Sequence, residues 1–257
     1  MKVLKFGGSA LRSVASFERV KEIVETERKS DRVLLVVSAM GSSTDELLTL
    51  AGSVAKKPCL REQDVLLTVG ERIAMSLLSL YLKDRGLEPV SFTGSQAGII
   101  TNRDHFDAKI ANVRPFRVQR VLEEGKIPIV AGFQGVSPDG EITTLGRGGS
   151  DTTAVALAVA LNASEVRFYK DVGGIYSEDP KVYEDAAHFV RLDYEACLEL
   201  MGRFTNVKKA PIHPRAVELA RKNDIPLLVC GIDAHTRTKT RIGAEKRSEA
   251  PAQFEVA

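Results

Sequence analysis

Buried strands alternate with amphipathic helices along nearly the whole chain, and that alternation limits the fold more than any other feature. Val3 to Phe6 reads as a strand, and apolar residues then recur at helical spacing at Val14, Phe17, Val20, Ile23 and Val24. "RVLLVVSAMG", "IPIVAGFQG", "VRFYKDVGGIY" and "IPLLVCG" read as further strands, the last one closing the set. Between them, "STDELLTLAG", "ERIAMSLLSLYLKDRG", "YEACLELMGR" and "PRAVELARKN" read as helices, with Ser43 or Thr44 as the cap of the first. Near-continuous apolar strands separated by helices predict a mainly parallel sheet covered on both faces. No internal repeat and no linker interrupts the pattern, and the last residues, "EKRSEAPAQFEVA", read as a polar tail.

Composition narrows the function. A chain of 257 residues is one large α/β domain or two small lobes, and 44% hydrophobic residues supply a core. A net charge of +2 with both signs interspersed predicts neither a nucleic-acid nor a membrane surface. Cys59, Cys197 and Cys230 lie far apart, lack metal spacing and suit a reducing cytoplasm as buried filler. The histidines at 105, 188, 213 and 235 show no metal spacing, and His213 before Pro214 reads as a helix-entry residue. "MKVLKFGG" is too short an apolar run for a signal peptide, and no apolar stretch is expected to reach membrane-spanning length. The basic run "RTKTR" reads as solvated.

In such folds ligands bind at loops beyond the carboxyl ends of the strands. Four such loops stand out: "KFGGSA", "VSAMGSSTD", "GFQGVSPDGEITTLGRGGSD" and "YKDVGGIYSEDPK". Three are glycine-rich beside a cation, which points to several phosphates, or a phosphate and a second anion, at one sheet edge. In "TTLGRGGSDTTAVALAVAL", Gly146, Gly148 and Gly149 surround Arg147, and a small apolar helix is expected from near Thr152, capped by Ser150 or Asp151. A glycine loop opening a helix offers free N–H donors and a positive dipole end to an anion; the plainer reading is a tight turn before a core helix. Neither a GxxxxGK[ST] loop nor a strand-linked GxGxxG is present. Lys5 could be a strand-end lysine reaching water, Glu71 a helix-start glutamate serving the dipole, and Arg147 and Asp151 a surface pair worth little.

The motifs "KFGGSA", "VSAMGSSTDELL", "GERIA", "TTLGRGGSDTTAVALA", "DVGGIYSEDP" and "HPRAVELA" occur in the order found in aspartate kinases. Over roughly residues 2–243 the sequence resembles the catalytic domain of those enzymes, within the amino acid kinase family. The resemblance implies a three-layer αβα sandwich with a mainly parallel central sheet. Its N-terminal part would form mainly the amino-acid side and its C-terminal part mainly the nucleotide side, with 244–257 a polar tail. It also implies a cytoplasmic, ATP- and Mg2+-dependent kinase of L-aspartate that makes 4-phospho-L-aspartate for biosynthesis of the lysine, threonine and methionine type. A homo-oligomer, a dimer, is the expected assembly, and a separate regulatory chain remains open.

Carried over residue by residue, the resemblance implies that Lys5 reaches the transferring phosphate, with Gly7, Gly8 and Ser9 supplying loop contacts. Ser38 and Thr44 fall near the amino-acid substrate, Glu71 on its amine and Arg147 on its α-carboxylate. Ser150 and Asp151 organise the reacting groups. Lys170, Asp171, Tyr176 and Lys181 fall on the nucleotide segment, where Lys170 replaces the usual threonine. "KFGGSA" keeps a hydroxyl at Ser9 and loses one at Ala10. The usual nucleotide lysine falls on Ala210, which leaves the neighbouring Lys208 or Lys209 to reach the same place, and Lys209 is taken as that contact. Glutamate is the nearest alternative acceptor, because one methylene is discriminated by roughly 1–3 kcal/mol. A nucleotide-binding, non-catalytic subunit is the alternative of another kind. The resemblance ends near Gly243, and the fourteen residues beyond are too few for the paired ACT regulatory domains common in the family. The expectation is a chain that alone is insensitive to lysine and threonine.

Overall fold

The computed structural model describes residues 1–202, 211–233 and 238–244. In chain order the elements are β1 (Lys2–Phe6), α1 (Phe17–Arg28), β2 (Val33–Val37), α2 (Ser43–Val54), α3 (Leu60–Asp84), β3 (Pro89–Phe92), β4 (Ile99–Thr101) and β5 (Ile110–Val113). There follow α4 (Phe116–Glu123), β6 (Ile127–Ala131), β7 (Gln134–Val136), β8 (Ile142–Thr144), α5 (Gly149–Ala160), β9 (Glu165–Lys170), β10 (Ile175–Tyr176) and β11 (His188–Phe189). The last are β12 (Arg191–Leu192), α6 (Tyr194–Gly202), α7 (Pro214–Lys222), β13 (Leu227–Gly231) and β14 (Lys239–Ile242). Eight strands form one sheet in the order β12-β14-β13-β9-β1-β2-β6-β3. Its strands run parallel from β13 to β3, and β14 pairs antiparallel with β13. A second sheet, β5-β4-β7-β8, and the hairpin β10-β11 stand apart from it.

The expected sandwich is therefore the fold, and the alternation of β1 shows how it places chemistry. Leu4 and Phe6 belong to the core beneath α1 and α3, which also takes in Phe17, Val20, Leu78 and Leu82. Val3 belongs to the opposite core, built on α5. Successive side chains of a strand face opposite ways, so Lys5 shares the face of Val3 and points to the α5 side. Helix α5 is buried from Gly149 to Val159, and its small side chains let it lie deep against the sheet.

Several expectations are corrected. α5 starts at Gly149 with Gly148 as its cap, so Ser150 and Asp151 lie in its first turn rather than capping it. α2 is preceded by Ser42, and neither Ser43 nor Thr44 caps it. Helix α3 starts at Leu60, so Glu71 sits in its interior and not at its start. The "RTKTR" run contributes to β14, where Thr240 is fully buried. Cys59 is exposed. Helix α3 is long and apolar enough to cross a membrane by length and composition, against expectation, yet it buries Asp64, Leu67, Glu71, Leu78 and Leu82 against the rest of the chain. Its outward positions Val65, Val69, Ile73, Leu77 and Leu80 form an exposed apolar stripe.

Leu157 is fully buried in the α5 core. Leu157→Ala should destabilise the fold by about 2–5 kcal/mol. That loss should appear as a lower urea midpoint at unchanged m-value.

Candidate active site

Two adjoining clefts open at the carboxyl ends of the central strands. The first, about 450 Å³, is lined by Lys5, Gly8, Ser38, Thr44, Glu71, Arg147, Ser150, Asp151 and Lys170, among others. The second, about 540 Å³, is lined by Ser9, Lys170, Asp171, Tyr176 and Lys181 and by neighbours up to Tyr183. Lys170 is common to both. Every expected site residue except Gly7 and Lys209 lines one of them. Gly7 lies at the junction, where a Cβ on it would stand 3.7 Å from Lys5 Nζ and 3.9 Å from Lys170 Cδ. Lys209, like Lys208 and Ala210, lies outside the described residues.

Asp151 holds the centre. Its Oδ1 is 2.7 Å from Lys5 Nζ, its Oδ2 is 3.8 Å from Lys170 Nζ, and the His213 backbone amide donates to Oδ2 at 3.2 Å. Burial alone would raise its carboxyl, but the ammonium groups of Lys170 and Lys5 outweigh burial and hold it at about 2. Burial lowers the Lys170 ammonium to about 8, against the attraction of Asp151. Asp151 is thus tied to two lysines and not to Arg147, which corrects the plainer reading of that loop. Arg147 is exposed and makes no ion pair among the described residues. Gly148 caps α5 at φ +69, and a Cβ there would stand 2.1 Å from His213 Cγ, so only glycine suits the position.

Glu71 faces the first cleft from inside α3. Gly70 lets that helix close on the loop after β2, because a Cβ there would stand 2.8 Å from Ala39 Cβ. The Ala39 amide then donates to Glu71 Oε1 at 3.1 Å, while Oε2 has no hydrogen-bond partner among the described residues. Burial pushes the carboxyl up to about 7, and backbone amides and Lys5 offset only part of that. A buried acceptor left open in a cleft suits a cationic group of a ligand. In the second cleft Asp171 pairs with Lys181 and accepts from Ser9 Oγ at 3.4 Å.

Sequence reasoning missed Phe106, Phe133 and His213 as cleft walls. Phe106 and Phe133 both hold positive φ, +71 and +69, at about 1–3 kcal/mol each. Phe133 sits within the quoted "GFQG" segment, whereas no glycine stands beside Phe106.

An αβα sandwich sets lysines, glycines and a helix N-terminus around two joined clefts. The chain belongs to the amino acid kinase family, whose model matches residues 1–231. It is similar to the aspartokinase of Geobacillus stearothermophilus, 46% identical over 228 residues that make up 88% of this chain and 55% of that one. The chain spans about half the length of the curated relatives it matches. Among solved structures it is similar to the aspartate kinase of Synechocystis, with TM-score 0.81 and 37% identity over 98% of this chain and 40% of that one. It is also similar to E. coli aspartokinase III, solved in complex with aspartate and ADP, with TM-score 0.83 and 25% identity over 95% of this chain and 65% of that one.

The Glu71 carboxyl is raised from 4.5 to about 7 by folding. The folded state therefore holds a proton that the unfolded state has released, and stability falls as pH rises from 4.5 through 7. This group should cost roughly 2–3 kcal/mol by pH 8. Urea midpoints of the wild type should drop between pH 5 and pH 8 by more than those of Glu71→Gln.

Proposed function

We propose that this chain transfers the γ-phosphate of ATP to the side-chain carboxylate of L-aspartate, giving 4-phospho-L-aspartate. The observation that carries the proposal is the first cleft. Among the described residues its lining combines an acceptor oxygen without a donor on Glu71, an arginine without an ion pair at 147, and Lys5 beside Asp151. A free α-amino acid offers an ammonium for Glu71 and a carboxylate for Arg147, whose planar fork suits bidentate contact. The second cleft, entered past the shared Lys170, would take the nucleotide along Ser9, Asp171, Tyr176 and Lys181. The similarity to relatives named aspartokinase supports the same assignment. Residues up to Asp151 would thus supply mainly the acceptor side and later ones mainly the nucleotide side.

The aspartate side chain, with an ordinary pKa of about 3.9, is already ionised near neutrality, so no general base is required. One carboxylate oxygen attacks the γ-phosphorus as the bridging P–O bond breaks, and the electron pair leaves on ADP. The barrier is the approach of one anion to another, so catalysis is positioning and charge neutralisation. Lys5 would meet the transferring group, and Asp151 holds that lysine in place. Ser38, Thr44 and Ser150 would fix the acceptor, Gly7 would leave room for phosphate oxygens beside Lys5, and Gly8 lets the loop close on the Ala39 carbonyl, from which a Cβ there would stand 2.8 Å. Mg2+ would neutralise phosphate charge, and it commonly keeps waters and few protein ligands. Asp151 and Asp171, which flank Lys170, are hard oxygen donors that suit it. A cytoplasmic biosynthetic role fits this chemistry. A homo-oligomer, in turn, would find an apolar surface along the stripe on α3.

The test is ATP-dependent formation of aspartyl hydroxamate by the purified chain, run with aspartate and with glutamate. Turnover with aspartate is expected, and its absence would sink the proposal. Lys5→Met should cut kcat by a few orders of magnitude with a smaller change in aspartate KM. Arg147→Lys should raise the aspartate KM sharply and the ATP KM little. A rise confined to ATP would instead put Arg147 in the nucleotide cleft.

A further inference from the structure

The loop between β4 and β5 brings Phe106 to the wall of the first cleft, and that loop is held from both sides. Asp64, on α3 and fully buried, accepts from the Phe106 backbone amide at 3.1 Å on Oδ1 and 3.2 Å on Oδ2. Its Oδ2 also pairs with His105 Nδ1 at 2.7 Å, and Thr144 Oγ1 donates to its Oδ1. One residue further on, Asp107 takes a two-point contact from Arg215 on α7, at 2.6 and 3.0 Å. Arg215 donates as well to the Leu145 carbonyl, just before the Arg147 loop. The two loops touch, since a Cβ on Gly146 would stand 2.6 Å from Asp107 Oδ1.

These anchors fix a residue whose own backbone preference is otherwise. Phe106 is held at φ +71, a region that bulky side chains avoid. Phe106 stays 38% exposed although its backbone amide is held by the fully buried Asp64. A fully buried carboxylate spent on the amide of a half-exposed phenylalanine serves the placement of that side chain. Phe106 lines the first cleft with Phe133, Leu48 and Leu67, in the cleft that holds Glu71 and Arg147.

We infer that Phe106 sets the length of the acceptor pocket and so selects aspartate over its one-methylene homologue, with Asp64 and Arg215 as positioning residues that hold the ring there. The inference rests on the aspartate kinase reading above. It concerns side-chain length, a property that Glu71 and Arg147 cannot sense, because glutamate presents the same ammonium and α-carboxylate. A fitted pocket discriminates one methylene by roughly 10–200-fold, and an apolar wall facing the extra carbon is the means.

The experiment compares wild type, Phe106→Gly and Phe106→Leu in the hydroxamate assay with each amino acid. Glycine accepts positive φ without strain, so Phe106→Gly keeps the loop while removing the wall. Phe106→Gly should raise the aspartate KM about tenfold, change kcat and the ATP KM less than threefold, and lower the aspartate-over-glutamate ratio of kcat/KM at least tenfold. Phe106→Leu, which retains apolar bulk, should keep most of that ratio. Wild type active on aspartate, with the ratio in Phe106→Gly within twofold of it, overturns the inference and leaves the kinase reading standing. Wild type that turns over neither amino acid overturns the kinase reading and the inference with it.

Discussion

The ion triad of Asp151 with Lys5 and Lys170 is the constraint from which the site follows. It ties the first turn of α5 to the ends of two neighbouring strands, β1 and β9. An unpaired charge at so buried a position would be expensive; three charges of mixed sign, with the His213 amide as a fourth partner, are tolerated. The triad carries a net positive charge, and it stands where the two clefts join. Both lysines are held in place by the carboxylate, so an anion entering either cleft would meet charges that need little reorganisation.

Much of this was legible in the sequence. β2 and β6 are continuous apolar runs buried at every position, and β1, β9 and β13 are mostly buried, which is what central parallel strands require. The ligand loops were visible because glycine beside a cation at a strand end has few structural uses. The small sheet was not legible. β4, β7 and β8 have three residues each, too few for a periodic signal. β14 carries lysine, threonine and arginine, and its buried Thr240 is satisfied by accepting from the Ile175 amide and donating to the Phe189 carbonyl. Only the fold supplies those partners, so the run looks solvated when read alone.

Glu71 shows the same limit at the level of a side chain. Its sequence neighbours are compatible with a helix start, and only the eleven residues from Leu60 to Gly70 make it interior. The clamp on Phe106 is harder still, because Asp64 and His105 are 41 positions apart and belong to no motif. Loops with glycines announce backbone chemistry. Side-chain walls do not announce themselves, since a phenylalanine in a loop reads the same whether it faces solvent or ligand.

Helix α3 carries more than one load. Asp64 and Glu71 project from its inner side, two turns apart, while Val65, Val69, Ile73, Leu77 and Leu80 occupy its outer side. At 1.5 Å per residue its 25 residues make a rod of about 37 Å. A packed helix shifts as a stiff body and not residue by residue. Glu71 and Asp64 therefore share one mechanical member. Pressure applied along the outer stripe would reach both at once, which makes this helix the lever through which the chain's surroundings can bear on the first cleft.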